Sequence, residues 1–218
     1  MKVLSVSDIE LSLIYSPQIV ERFGDVDIII SCGDLPYYYL EYMISMLNKP
    51  LFFVRGNHAP VVEYGSEWER RFPLGGKNIH RRTLTTHNGA LLAGLEGCLR
   101  YNRGPYQYSQ RQMWLNVFRL VPGLFWNRLH YGRYLDYFVT HAPPWGIHDA
   151  EDLPHRGIKA FHWFDRVFQP AYHLHGHVHL YRQDAIKLTF FGKTKIINTY
   201  GYQITELPSN LFNKRSNG

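Results

Sequence analysis

Only two cysteines, Cys32 and Cys98, occur in 218 residues. No disulfide framework can therefore hold this chain together, and such sparing use suits a reducing compartment. No run of about 18 apolar residues appears, so no membrane-spanning helix is expected. The only stretch near the start that could serve as a signal-peptide core is broken by Asp8 and Glu10, which leads to an expectation of an unexported, cytoplasmic protein. Internal repeats and low-complexity tracts are missing too. A composition of 45% hydrophobic, 19% charged and 16% aromatic residues excludes a disordered or collagen-like chain and a coiled coil. One domain over 1–212 is expected, followed by a frayed polar tail, 213–218.

One kind of charge is also absent locally. Between Glu96 and Asp136 there is no acidic residue, while Arg100, Arg103, Arg111, Arg119, Arg128 and Arg133 account for the whole net charge of +6. The same segment is rich in aromatics. The mixture fits a helical pair that packs on a sheet and snorkels its charges, with nucleic acid or a lipid headgroup surface as rival partners. Of twelve histidines, five (His141, His173, His175, His177 and His179) lie in or beside strand-end signals toward the end of the chain, a clustering that points to metal.

Apolar, β-branched runs predict strands at Lys2–Ser7, Val26–Ser31, Leu51–Val54, Leu91–Leu95 and Tyr137–Thr140. Helical spacing predicts helices over Ser16–Phe23, Pro36–Leu47 and Gly157–Phe168. Within the acid-free segment it predicts one helix over Ser109–Leu120 and a second up to Tyr134. After Ala171, strands follow at Tyr172–Leu174, Ala185–Phe191, Lys195–Thr199 and Gln203–Leu207. The alternation is that of an α/β protein with parallel crossovers.

In such a sheet the strand-terminal loops collect on one edge. Read in order they supply Asp8 and Glu10, Gly33-Asp34, Gly56-Asn57-His58, His141, and Gly176-His177-Val178-His179. Mixed carboxylate, amide and imidazole donors suit divalent ions of borderline softness, and about seven ligands with one shared carboxylate suit two of them.

These five ordered blocks resemble those of the calcineurin-like metallophosphoesterase superfamily. The resemblance implies a four-layer α/β/β/α sandwich of mixed sheets and a dinuclear phosphoesterase that activates water, acting on a small phosphoester, with diesters preferred. It further implies that Asp34 bridges two ions, that Asn57, His141 and His177 complete one site, that Asp8 and His179 belong to the other, and that His58 protonates the leaving oxygen. Manganese is the expected metal, with iron, zinc and magnesium as alternatives.

Two positions depart from the pattern. Glu10 stands where the family has histidine; a carboxylate can ligate there while favouring harder ions. Ala59 stands where many relatives carry an acid, so the partner that orients His58 must come from elsewhere. In the loop after His141, Arg156 is a candidate to hold substrate phosphate, and His148, Asp149 and His155 are candidates to buttress ligands, against the alternative that they simply satisfy a long loop. Rival functions are a nuclease or lipid-headgroup pyrophosphatase that uses the basic segment, and a metal-binding scaffold without turnover.

Overall fold

Each apolar run that ends in glycine or a carboxylate becomes a strand. The computed structural model describes residues 1–65, 68–181 and 185–208. In chain order its elements are β1 (Lys2–Ser7), α1 (Gln18–Phe23), β2 (Ile28–Ser31), α2 (Tyr37–Leu47), β3 (Leu51–Phe53), β4 (Glu63–Tyr64) and β5 (Glu69–Arg70). Then come β6 (Gly76–Asn78), β7 (Arg82–Thr85), β8 (Leu91–Leu95), β9 (Cys98–Leu99), β10 (Gln107–Tyr108) and α3 (Gln110–Tyr131). The chain continues with β11 (Tyr137–Thr140), α4 (Lys159–Phe168), β12 (Tyr172–His175), β13 (Leu188–Phe191), β14 (Thr194–Asn198) and β15 (Gly201–Glu206).

Two mixed sheets carry the architecture. One has the order β15-β1-β2-β3-β6, parallel except for β15; the other has the order β13-β14-β12-β11-β8-β7, with parallel strands inside and antiparallel strands at both edges. Side chains on a strand alternate faces, so each sheet feeds two cores. Ile28, Ile30 and Phe52 of the first sheet meet Leu92, Tyr137 and Val139 of the second between the sheets. Leu4, Val6, Ile29 and Phe53 face outward onto Ile19 and Phe23 of α1 and Leu40 and Met43 of α2. On the far side Leu91, Ala93, Leu95 and Phe138 pack on Met113, Val117, Leu120 and Leu124 of α3 and Phe161 and Phe164 of α4. Helices, sheet, sheet and helices therefore stack around three interlayer cores.

The acid-free segment differs from its sequence reading. One helix, α3, replaces the expected pair and runs through Pro122 and Gly123. It starts at a capping box between Ser109 and Gln112. Pro122 lies on the exposed side, where water can serve the carbonyl its missing N–H leaves. Leu120 and Leu124, both buried, hold the two halves on the same sheet. Gly123 lets the helix approach Thr83 of β7 where a side chain would collide.

The short strands β4 to β7 and the β9–β10 pair are additions to the sequence reading. The expected tail 213–218 lies outside the described residues. Among the described residues no helix is long and apolar enough to cross a membrane.

Candidate metal centre

Parallel strands β1, β2 and β3 of one sheet and β11 and β12 of the other bring their carboxyl ends to a common cleft. The loops are stitched there by backbone bonds from Asp8 N–H to Gly33 O (3.2 Å) and from Gly176 N–H to His141 O (3.0 Å). Three residues at this edge, Asp8, Asp34 and His177, hold left-handed backbone with φ of 66°, 57° and 71°. Non-glycine residues adopt that region at a cost, and it re-aims each side chain from the strand line into the cleft. Gly56 is obligatory nearby, since a Cβ on it would run into the Asp34 carboxylate and the His141 ring.

Ligand atoms of Asp34, His141 and His177 lie within 4.8 Å of one another. His141 Nε2 is 3.1 Å from Asp34 Oδ2, 3.0 Å from Asn57 Oδ1 and 3.1 Å from His177 Nδ1. The partners on the far side of each ring assign the protons. His141 Nδ1 sits 2.8 Å from the Cys32 carbonyl, and His177 Nε2 sits 2.8 Å from the Pro154 carbonyl. A carbonyl only accepts, so those nitrogens carry hydrogen and the opposite nitrogens turn bare lone pairs inward. Asn57 donates its amide N–H to the Tyr101 hydroxyl (3.1 Å), which leaves its oxygen facing His141.

Four acceptors thus converge with no donor among them, an arrangement that calls for a cation. A proton is the smallest one that can answer. Burial opposes charge on His141, yet the Asp34 carboxylate outweighs it and pushes the imidazole up to about 9. Burial would raise Asp34 as well, but His141 and the His58 backbone N–H (2.9 Å) hold it below the usual carboxylate range. His177, enclosed and beside His141, is pushed down to about 3 and stays neutral, as a ligand must. Oxygen and imidazole donors in this buried set fit a divalent ion of borderline softness.

The other expected ligands are spread more loosely. Both Asp8 oxygens accept from the His177 backbone N–H (3.0 and 3.1 Å), and burial raises this carboxyl. His179 Nε2 stands 3.9 Å from Asp8 Oδ1, while its Nδ1 meets the Tyr181 hydroxyl at 2.8 Å. Glu10 lies exposed at the rim, where its carboxylate accepts from the Tyr38 hydroxyl; that bond pushes the phenol up to about 12. The His58 ring is exposed and lines a cavity of about 510 Å³ with Asp34, Tyr38, Glu63, Tyr64 and Trp68.

The loop candidates bind one another and the sheet. His148 bridges His175 (2.9 Å) and Thr189 (2.9 Å), Asp149 accepts from Gly157 N–H (3.0 Å), His155 pairs with Asp152 (2.7 Å), and Arg156 donates to the Glu151 carbonyl (2.9 Å). Sequence reasoning missed Tyr101 and the carbonyls of Cys32 and Pro154. A backbone carbonyl leaves no signature in residue identity, and Tyr101 sits among aromatics assigned to packing.

The fold recurs among solved structures. One described as TT1561 of Thermus thermophilus is 15% identical with TM-score 0.58, over 92% of this chain and 89% of that one. Phosphopantetheinyl hydrolase (PptH) from Mycobacterium tuberculosis is 13% identical with TM-score 0.55, over 99% and 93%. GAP50, the anchor in the inner membrane complex of Plasmodium, is 13% identical with TM-score 0.52, over 92% and 71%. No curated protein sequence matches the chain. The family described as calcineurin-like phosphoesterase, however, matches residues 1–181, and with the blocks of that span drawn into one acceptor-lined cleft, the chain belongs to the calcineurin-like phosphoesterases, a metal-dependent family.

Proposed function

We propose that this chain hydrolyses phosphodiesters at a two-metal centre in which Asp34 serves both ions. Asn57, His141 and His177 would hold one ion, and Asp8 and His179 the other, with Glu10 able to join by releasing Tyr38. Two divalent cations, manganese first among the candidates, would supply a water acidified toward neutrality and counter-charge for the phosphoryl oxygens. The observation that carries this reading is the knot of four inward-facing acceptors around His141 Nε2.

The residues of the chain divide the remaining work. The Cys32 and Pro154 carbonyls hold the Nδ1 proton of His141 and the Nε2 proton of His177 away from the cleft, so an arriving ion need displace only the proton that Asp34 favours on His141 Nε2. His58, exposed in the cleft and anchored by its backbone to Asp34, is placed to protonate a departing alkoxide.

The cavity beside His58 favours a diester. Its lining of Leu35, Pro36, Tyr38, Pro60, Tyr64 and Trp68 is apolar and aromatic, its charged members are Asp34 and Glu63, and His58 is its one basic side chain among the described residues. A dianionic monoester gains little from such walls, whereas a diester brings one charge and a second substituent that can lie on them.

A scaffold without turnover is the second reading, favoured by the position of Glu10 against Tyr38. One assay separates the two: strip the protein with chelator, restore Mn²⁺ and follow bis(p-nitrophenyl) phosphate. Hydrolysis that returns with the metal and is lost in Asp34→Asn supports the enzyme. A rate equal to that of Asp34→Asn at saturating metal overturns it.

A further inference from the structure

Helix α3 carries two apolar stripes. Met113, Val117, Leu120 and Leu124 form the inner one, buried on the second sheet. Leu115 (62% exposed), Phe118 (51%), Phe125 (56%), Trp126 (62%) and Leu129 (80%) form the outer one. At 3.6 residues per turn these five fall with Arg111 and Arg119 in one sector of about 120°, opposite the buried stripe, on a helix roughly 33 Å long. Single exposed apolar side chains are ordinary, but five bulky ones in line on a single helix are not. They are not loosely placed either. Phe118 stacks on Trp114 (5.7 Å) and meets Trp163 (5.8 Å), Phe125 meets Tyr134 (5.7 Å), and Trp126 stacks on His130 (3.9 Å).

Charge decides what can cover this face. Residues 97–135 contain no carboxylate side chain, while Arg111, Arg119 and Arg128 are exposed on the helix. A second copy docked through the same face would set arginine against arginine with no acid on either helix to answer. Nucleic acid would answer the arginines but not the apolar stripe, since such interfaces are polar and hydrogen-bonded. An anionic lipid surface answers both: bulky side chains enter the acyl boundary, and guanidinium groups meet headgroup phosphates.

We propose that α3 docks this chain on anionic membranes as a peripheral protein, the helix lying in the plane of the interface with Leu115, Phe118, Phe125, Trp126 and Leu129 inserted. The role is independent of the metal centre.

The test is co-sedimentation of the whole protein with vesicles of phosphatidylcholine alone or mixed with phosphatidylglycerol. Binding at least about tenfold tighter to the anionic vesicles, weakened by salt, is the expected result. The triple variant L115S/W126S/L129S and the double variant R111E/R119E should each lose about tenfold or more while keeping the parent thermal unfolding midpoint, since all five side chains are exposed. Equal sedimentation with both vesicle types, or unchanged binding by both folded variants, would overturn the proposal. So would a concentration-dependent dimer abolished by L115S/W126S/L129S, which would assign the face to a second copy. Duplex DNA retention that falls in R111E/R119E but persists in L115S/W126S/L129S would overturn it in favour of nucleic acid.

Discussion

On one side of Asp34, Asn57, His141 and His177 are buried and each is oriented by a partner behind it: the Tyr101 hydroxyl, the Cys32 carbonyl and the Pro154 carbonyl. On the other side Asp8 is buried, but His179 is exposed with Tyr181 as its partner, and Glu10 lies at the rim on Tyr38. In the proposed two-ion centre the first side would be pre-organised before any ion arrives, whereas the second keeps side chains that would have to turn inward. Precision in such a centre therefore comes from the groups behind the ligands as much as from the ligands, and the difference predicts one tight and one weaker ion site.

The largest effect should come from the residue common to both sides. Asp34→Asn is expected to lower the Mn²⁺-dependent rate by about 10³-fold or more and to reduce calorimetric metal binding at both sites; a variant that still binds two ions would break the assignment. Next, His58→Ala should cost about 10² to 10⁴-fold with an alkyl leaving group and much less with p-nitrophenolate, which departs without a proton. Equal losses on the two substrates would remove His58 from the acid role.

Smaller changes sharpen the contrast between the sides. Tyr101→Phe frees the Asn57 amide to rotate and should weaken the tighter ion by about 10 to 100-fold, leaving the weaker one alone. Glu10→His is expected to tighten the weaker ion several-fold with little change in the other, as calorimetry would record. Should it instead weaken the tight site, the two sides are not separable.

Much of this was legible in the chain. The strands Lys2–Ser7, Leu91–Leu95 and Tyr137–Thr140 fall where their apolar runs predict, and each leads into a residue of the cleft or packs beside one that does. These elements announce themselves because burial on both faces demands uninterrupted apolar residues. The stretch between Ala59 and Ala90 was opaque for the opposite reason: strands such as Arg82–Thr85 are half exposed at a sheet edge and carry polar residues. The expected break after Leu120 does not occur: Pro122 would favour one on backbone chemistry alone, but the packing of Leu120 and Leu124 on the sheet overrides it. At the cleft, residue types marked the candidate ligands, while the proton on each ring was set by carbonyls that any residue could have supplied.

The left-handed backbone at Asp8, Asp34 and His177 carries one more consequence. Glycine would relax each position by an amount of order 1 kcal/mol while deleting the side chain that the cleft requires. Heat tolerance and turnover therefore pull this chain in opposite directions at the same three sites. A library of variants screened for thermal survival alone should drift toward glycine there, and its most robust members should be inert.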